Sequence, residues 1–101
     1  MAVCFEWDPD KAAANVHKHG VGFETAALAF ADPFALTEQD RIEGGEFRWQ
    51  TLGMAQGVLL LLVAHTIRDE DENGRDDEVI RIISASPATR PERRRYEQEI
   101  R

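Results

Sequence analysis

The residues best equipped for chemistry are cations placed near the ends of apolar runs. Residues 79–85 read as an apolar strand, yet Arg81 stands in the middle of it. With a strand's period of two, Arg81 shares a face with Val79, Ile83 and Ala85, a costly place for a charge without a partner or a task. Arg68 ends the apolar run before it, and Arg48 lies in a third alternating segment. Three guanidiniums on neighbouring strand ends could hold a phosphodiester, since their forks match phosphate oxygens and stay charged at any working pH. The alternative is ion pairing with the acidic stretch 69–78, or with Glu46 and Glu24. His65, at the end of the longest apolar run, has the side chain of a general base, although such a histidine is more often a satisfied structural residue.

Other candidates lie on helical segments. Lys18 and His19 close the first of these, where cations suit a helix C-terminus. His17 and His19 are two apart, so they diverge on a helix and form no chelating pair; no metal site and no cofactor motif is read. Residues 90–101 hold five of the twelve Lys and Arg residues. Within them the Arg93-Arg94-Arg95 run is usually a solvated basic face, though such a face is also the minimum footprint for RNA, and packing of its ring on the sheet is the plain reading of Tyr96. Glycine-rich phosphate loops, nucleophile elbows and zinc signatures are absent.

The elements that must position these groups follow from capping and periodicity. Residues 4–7 suit a short edge strand. Asp8 and Pro9 open a helix that Gly20 closes, with Ala12, Val16 and His19 as its core stripe and Lys11, Asn15 and Lys18 on a neighbouring face. Phe23, Ala26, Ala27 and Phe30 repeat at helical spacing, and Asp32-Pro33 stops them. Residues 34–45 read as a polar connection and 46–54 as a half-buried strand. Residues 53–57 read as a hairpin turn, and 58–68 as a central strand buried on both faces. Thr89 and Glu92 make a capping box for the last helix. The expected order is β-α-α-β-β-β-α, an α+β fold with a three-stranded antiparallel meander, a short N-terminal edge strand, two N-terminal helices and one C-terminal helix.

The 101 residues suit one domain, 1–101, with 43% apolar and 31% charged residues. The single Cys4 excludes a disulfide framework and fits a reducing, cytoplasmic setting. No signal peptide and no membrane span is read. The net charge of −7 argues against nucleic acid, but it is unevenly spread: residues 69–78 carry seven acids and one base, leaving −1 for everything else.

Several ordered stretches carry a resemblance. Phe5-Glu6-Trp7-Asp8-Pro9, Asn15 with Lys18-His19-Gly20-Val21, Phe23-Glu24 and Ala26 form one block. Gly53 with Gly57-Val58, His65-Thr66 with Arg68, Arg81-Ile82-Ile83-Ser84-Ala85, and Ala88-Thr89 with Glu92-Arg93 and Tyr96-Glu97 follow in order. Together, over roughly residues 5–97, these resemble the BrnT family, toxins of type II toxin–antitoxin modules with a RelE-like fold. The resemblance implies a metal-independent endoribonuclease that inhibits translation. Its implied partners are a BrnA-like ribbon-helix-helix antitoxin, in a hetero-oligomer, and operator DNA through that antitoxin alone. Lys18, His65, Arg68, Arg81 and Tyr96 would be catalytic, and His19, Arg48, Ser84 and Arg93 would bind RNA. Ser86-Pro87 replaces the basic residues common after Ile-Ser-Ala in the family, and the acidic stretch is longer. These departures leave an alternative, a catalytically weak or inactive binding subunit that co-represses with its DNA-binding antitoxin.

Overall fold

In the computed structural model, which describes residues 2–72 and 74–99, a five-stranded sheet carries helices on both faces. The elements run β1 (Ala2–Glu6), α1 (Pro9–His19), α2 (Phe23–Leu28), a 3-10 turn (Ala29–Ala31), β2 (Leu36–Glu43), β3 (Glu46–Ala55), β4 (Leu59–Glu72), β5 (Arg75–Pro87) and α3 (Arg90–Glu99). Strand order is β1-β5-β4-β3-β2. β1 pairs with β5 in parallel, and every other pair is antiparallel. The α+β class and the meander agree with expectation. None of the described helices is long and apolar enough to cross a membrane.

The termini of the helices form as their residues dictate. Asp8 accepts from the Asp10 N–H at 2.8 Å, and Pro9 needs no donor at the first helical position. Gly20 takes the left-handed conformation (φ 72°) and donates to the Val16 carbonyl at 2.8 Å. At α3, the Thr89 N–H donates to Glu92 Oε1 (2.8 Å) and the Glu92 N–H to Thr89 Oγ1 (3.3 Å), a reciprocal capping box.

Alternation along β4 divides the core. Leu61 and Val63 join Ile80, Ile82, Val21, Phe23 and Ala26 beneath α1 and α2. Leu60 and Leu62 point the other way, to Leu52 and Tyr96 under α3. The expectation of burial on both faces therefore holds for this stretch, except that Val58 and Leu59 are exposed at the hairpin.

Four local readings are corrected. Residues 36–43, expected as a connection, form β2, an exposed edge strand that pairs along β3. The acidic stretch is not a loop either: β4 and β5 continue through it as a two-stranded arm. Gly53 lies inside β3, where any Cβ would collide with the Ala29 carbonyl oxygen. The turn itself is Gln56-Gly57, both at positive φ, which is type I′ geometry. Finally, α1 buries Asn15 rather than Val16, which stays half exposed.

Candidate functional site

Asn15 explains how α1 is held and why a cleft exists beside it. β1 ends at Glu6, opposite Arg81, so the β5 edge beyond that point has no neighbouring strand. The Asn15 amide takes the strand's place. Its Oδ1 accepts the Ala85 N–H (3.1 Å), and its Nδ2 donates to the Ala85 carbonyl (2.8 Å) and to the Val21 carbonyl (2.9 Å). Buried backbone groups rarely go unpaired, so this one side chain fixes the helix to the strand edge.

Between α1 and β5 lies a shallow cavity of about 190 Å³ lined by Lys11, Ala14, Asn15, Lys18, His19, Ile83 and Ser84. Lys18, His19 and Ser84 are thus brought together, and Lys11 joins them. Lys11, Asn15 and Lys18 fall on one helical face by spacing alone. What spacing did not reveal is that this face meets the strand. Among the described residues neither lysine has a carboxylate within ion-pair distance.

Arg68 and Arg81 also meet, but on a carboxylate. Arg68 grips Glu6 in a fork, Nη1 to Oε2 at 2.7 Å and Nη2 to Oε1 at 3.0 Å, and reaches Glu70 at 3.1 Å. Arg81 lies 3.7 Å from the same Glu6 carboxylate. The Arg68 fork, with help from Arg81, holds Glu6 below the usual carboxylate range, and Glu6 and Glu70 push Arg68 up. Glu70 belongs to the acidic stretch that the sequence offered as a partner, whereas Glu6 was not anticipated, because β1 reaches this face only through its parallel pairing with β5. A β-bulge at Ile83 keeps Ser84 on the face of Arg81: their β4 partners, Ala64 and Thr66, are two residues apart. The cleft and the arginine pair therefore lie along one strand, about 7 Å apart.

The remaining candidates are elsewhere. His65, a general-base candidate for which the residue pattern favoured a structural place, is fully buried. Its Nε2 is 2.8 Å from Thr51 Oγ1, its ring packs edge-on to Phe30 at 4.9 Å, and burial lowers its pKa. It is held neutral in the core, where no substrate reaches. Tyr96 is buried as well, so its ring offers no stacking face. Its hydroxyl donates to Asp32 Oδ2 at 2.5 Å, and burial together with that carboxylate pushes it up to about 12. Burial alone would raise Asp32, but donation from Tyr96 and from the Met54 and Phe34 N–H groups holds it down. The pair fastens α3 to the sheet.

Arg48, on the Thr66 and Arg81 face, is spent on Glu43 (3.5 Å) and Glu46 (4.0 Å), with its buried Nε lacking an aligned acceptor. Arg93 is exposed on α3. Among the described residues no group of three or more His, Cys, Asp or Glu is arranged to hold a metal ion.

A family model for the ribonuclease toxin BrnT of type II toxin–antitoxin systems matches residues 7–92. Among solved structures, the ribonuclease toxin BrnT of Brucella abortus is similar in fold. The TM-score is 0.56 at 18% identity, covering 89% of this chain and 99% of that one. No curated protein matches significantly. At that identity the structural likeness shows the fold; the family match spans most of the chain and shows descent. The chain belongs to the BrnT family of type II ribonuclease toxins.

Proposed function

We propose that this chain is itself an active, metal-independent endoribonuclease, folded as one domain over residues 1–101. It cuts RNA in the cytoplasm and so inhibits translation. A BrnA-like ribbon-helix-helix antitoxin neutralises it in a hetero-oligomer that reaches operator DNA through the antitoxin. The observation that carries the reading is the cleft where Lys11, Lys18, His19 and Ser84 converge, with no carboxylate among the described residues within ion-pair distance of either lysine, on a chain of net charge −7.

Cleavage without a metal needs an aligned 2′-hydroxyl, a proton acceptor, a proton donor and cations for the phosphorane oxygens. His19 takes the 2′ proton as that oxygen attacks phosphorus. Lys18 gives a proton to the 5′ oxygen as the P–O5′ bond breaks, and Lys11 faces the non-bridging oxygens. The products are a 2′,3′-cyclic phosphate and a 5′-hydroxyl. Arg81 and Arg68 grip the adjacent phosphate after it displaces Glu6.

Single-stranded RNA incubated with the protein in EDTA should be cut to those ends. Lys18→Ala with His19→Ala should reduce the rate by about 100-fold or more with an unchanged melting curve. Undiminished cutting by that variant overturns the site. A second reading, a co-repressor without nuclease activity, is favoured by the internal neutralisation of Arg68 and Arg81 by Glu6 and Glu70. It predicts intact RNA and tighter operator binding by the antitoxin when this chain is added.

A further inference from the structure

The two edges of the sheet are built differently. The β2 edge carries Glu38, Asp40, Arg41 and Glu43, with a register shift between Gln39 and Arg41. Charges and bulges are how a free edge is guarded against pairing. The β1 edge has no register shift, and its single charge, Glu6, sits at its end and is taken up by Arg68 and Arg81. The edge reads Ala2, Val3, Cys4, Phe5, Glu6, with Ala2, Val3 and Cys4 exposed, and among the described residues β1 pairs in regular register with β5 alone. Beside it opens an apolar groove of about 240 Å³ lined by Val3, Phe5, Ala27, Phe30 and Ala31. A free backbone edge over a groove that accepts alternate side chains is the arrangement used in strand addition.

Charge selects the occupant. The register sets Ala2 against Asp77 and Val3 against Glu78. Across β5, Glu78 faces Asp69, Asp77 faces Glu70, and Asp76 faces Asp71. On the groove's face acid stands opposite acid in two rows, Glu78 with Asp69 and Asp76 with Asp71, each unfavourable by itself and each relieved by a cation. Val3, Glu78 and Asp69 share the groove's face, one row beyond Phe5, Ile80 and Ile67. The incoming strand must therefore be apolar over Phe5 and basic towards Val3. A second copy of this chain does not fit. Antiparallel pairing would bring its Glu6 to the acidic end, and parallel pairing would set two acidic arms side by side.

We propose that the outer edge of β1 receives an extended, alternately apolar and basic segment of the antitoxin as a sixth strand. The choice of antitoxin rests on the toxin–antitoxin reading above. The strand itself needs no RNA chemistry, so either can fail without the other.

Two measurements test it. Isotope-labelled protein is titrated with a synthetic octapeptide of alternating valine and lysine. Saturable amide shifts should appear at residues 2–6, and Val3→Lys should weaken binding at least about ten-fold by placing a cation at the edge. Val3 is half exposed, so this change leaves folding intact. Shifts confined to residues 69–78, or unchanged binding by the variant, overturn the proposal. So does a concentration-dependent dimer whose β1 amides are protected without peptide. Second, Cys4 is the sole cysteine and is exposed on β1. It should react with a maleimide in the free chain and be blocked in the complex with the co-expressed antitoxin. A Cys4 that stays reactive in that complex rules the edge out as the antitoxin's seat.

Discussion

Two groups of cations lie within one strand's reach of each other, and they differ in what surrounds them. Arg68 and Arg81 are closed on Glu6, with Glu70 completing a cluster of two bases and two acids. Lys11 and Lys18, on α1, have no carboxylate within ion-pair distance among the described residues and line an open cleft. Their side chains differ in kind too: the guanidinium fork gains from a fixed bidentate partner, whereas the ammonium is a mobile point charge. The comparison teaches that on an acidic protein the availability of a cation is decided by its neighbours. Arg81, the charge that looks most out of place in sequence, is already partnered.

The largest way to break this contrast is to remove what creates the cleft. Asn15→Ala should destabilise the fold by about 3–4 kcal/mol, since it orphans the Ala85 N–H and two carbonyls in a buried place; urea unfolding reads the loss. Next in size is reversal of the free pair. Lys11→Glu with Lys18→Glu should weaken single-stranded RNA binding by about 100-fold at low salt. It should also reduce the slope of log K against log salt by about 1.4, two phosphate contacts' worth. An unchanged slope would mean that these lysines never meet the backbone.

A smaller effect separates folding from binding. Burial depresses His65 from its ordinary 6.5, so the unfolded chain takes up a proton that the folded chain refuses. Its contribution is complete above about pH 6.5 and drains away as pH falls below it towards the folded value. The melting temperature should therefore decline between pH 7.5 and 5.5 in the wild type and decline less in His65→Gln. RNA affinity compared within that window must be corrected for this loss before it is credited to either cation group.

Local chemistry was legible where a few adjacent residues decide the outcome. Asp8-Pro9 and Gly20 announce α1, and Thr89 with Glu92 announces α3, because capping is a short-range affair. Strand β2 was illegible because nearly all its side chains are exposed, so no apolar alternation marks it. The acidic arm misleads for a related reason. Its residues disfavour strands, yet the register set in the buried part of β4 and β5 carries the pairing outward. At the site, the helical face of Lys11, Asn15 and Lys18 was visible, but the strand it meets was not. A structural place for His65 and Tyr96 was open in the sequence, but their partners Thr51, Phe30 and Asp32 lie far off in it, and only the fold supplies them.

The finest test of the contrast is Glu6→Gln. The amide still accepts a hydrogen bond from Arg68 but no longer cancels a charge between the two arginines. If Glu6 occupies the place of a phosphate, RNA affinity should rise by about 3- to 5-fold, within the range of one exposed ion pair. Glu6 and Arg68 are both more than one-third exposed, with side chains 37% and 45% accessible, so water screens the pair and its loss should change stability little. The sign with pH follows from the lowered Glu6 value. The pair's stabilisation is complete above the ordinary 4.5 and is lost as pH falls through the folded value, so the variant should lack this part of the acid-side decline. A fall in RNA affinity would make Glu6 the residue that aims the Arg68 fork. No change in affinity would take Arg68 and Arg81 out of the RNA path and leave the lysine cleft to bind alone.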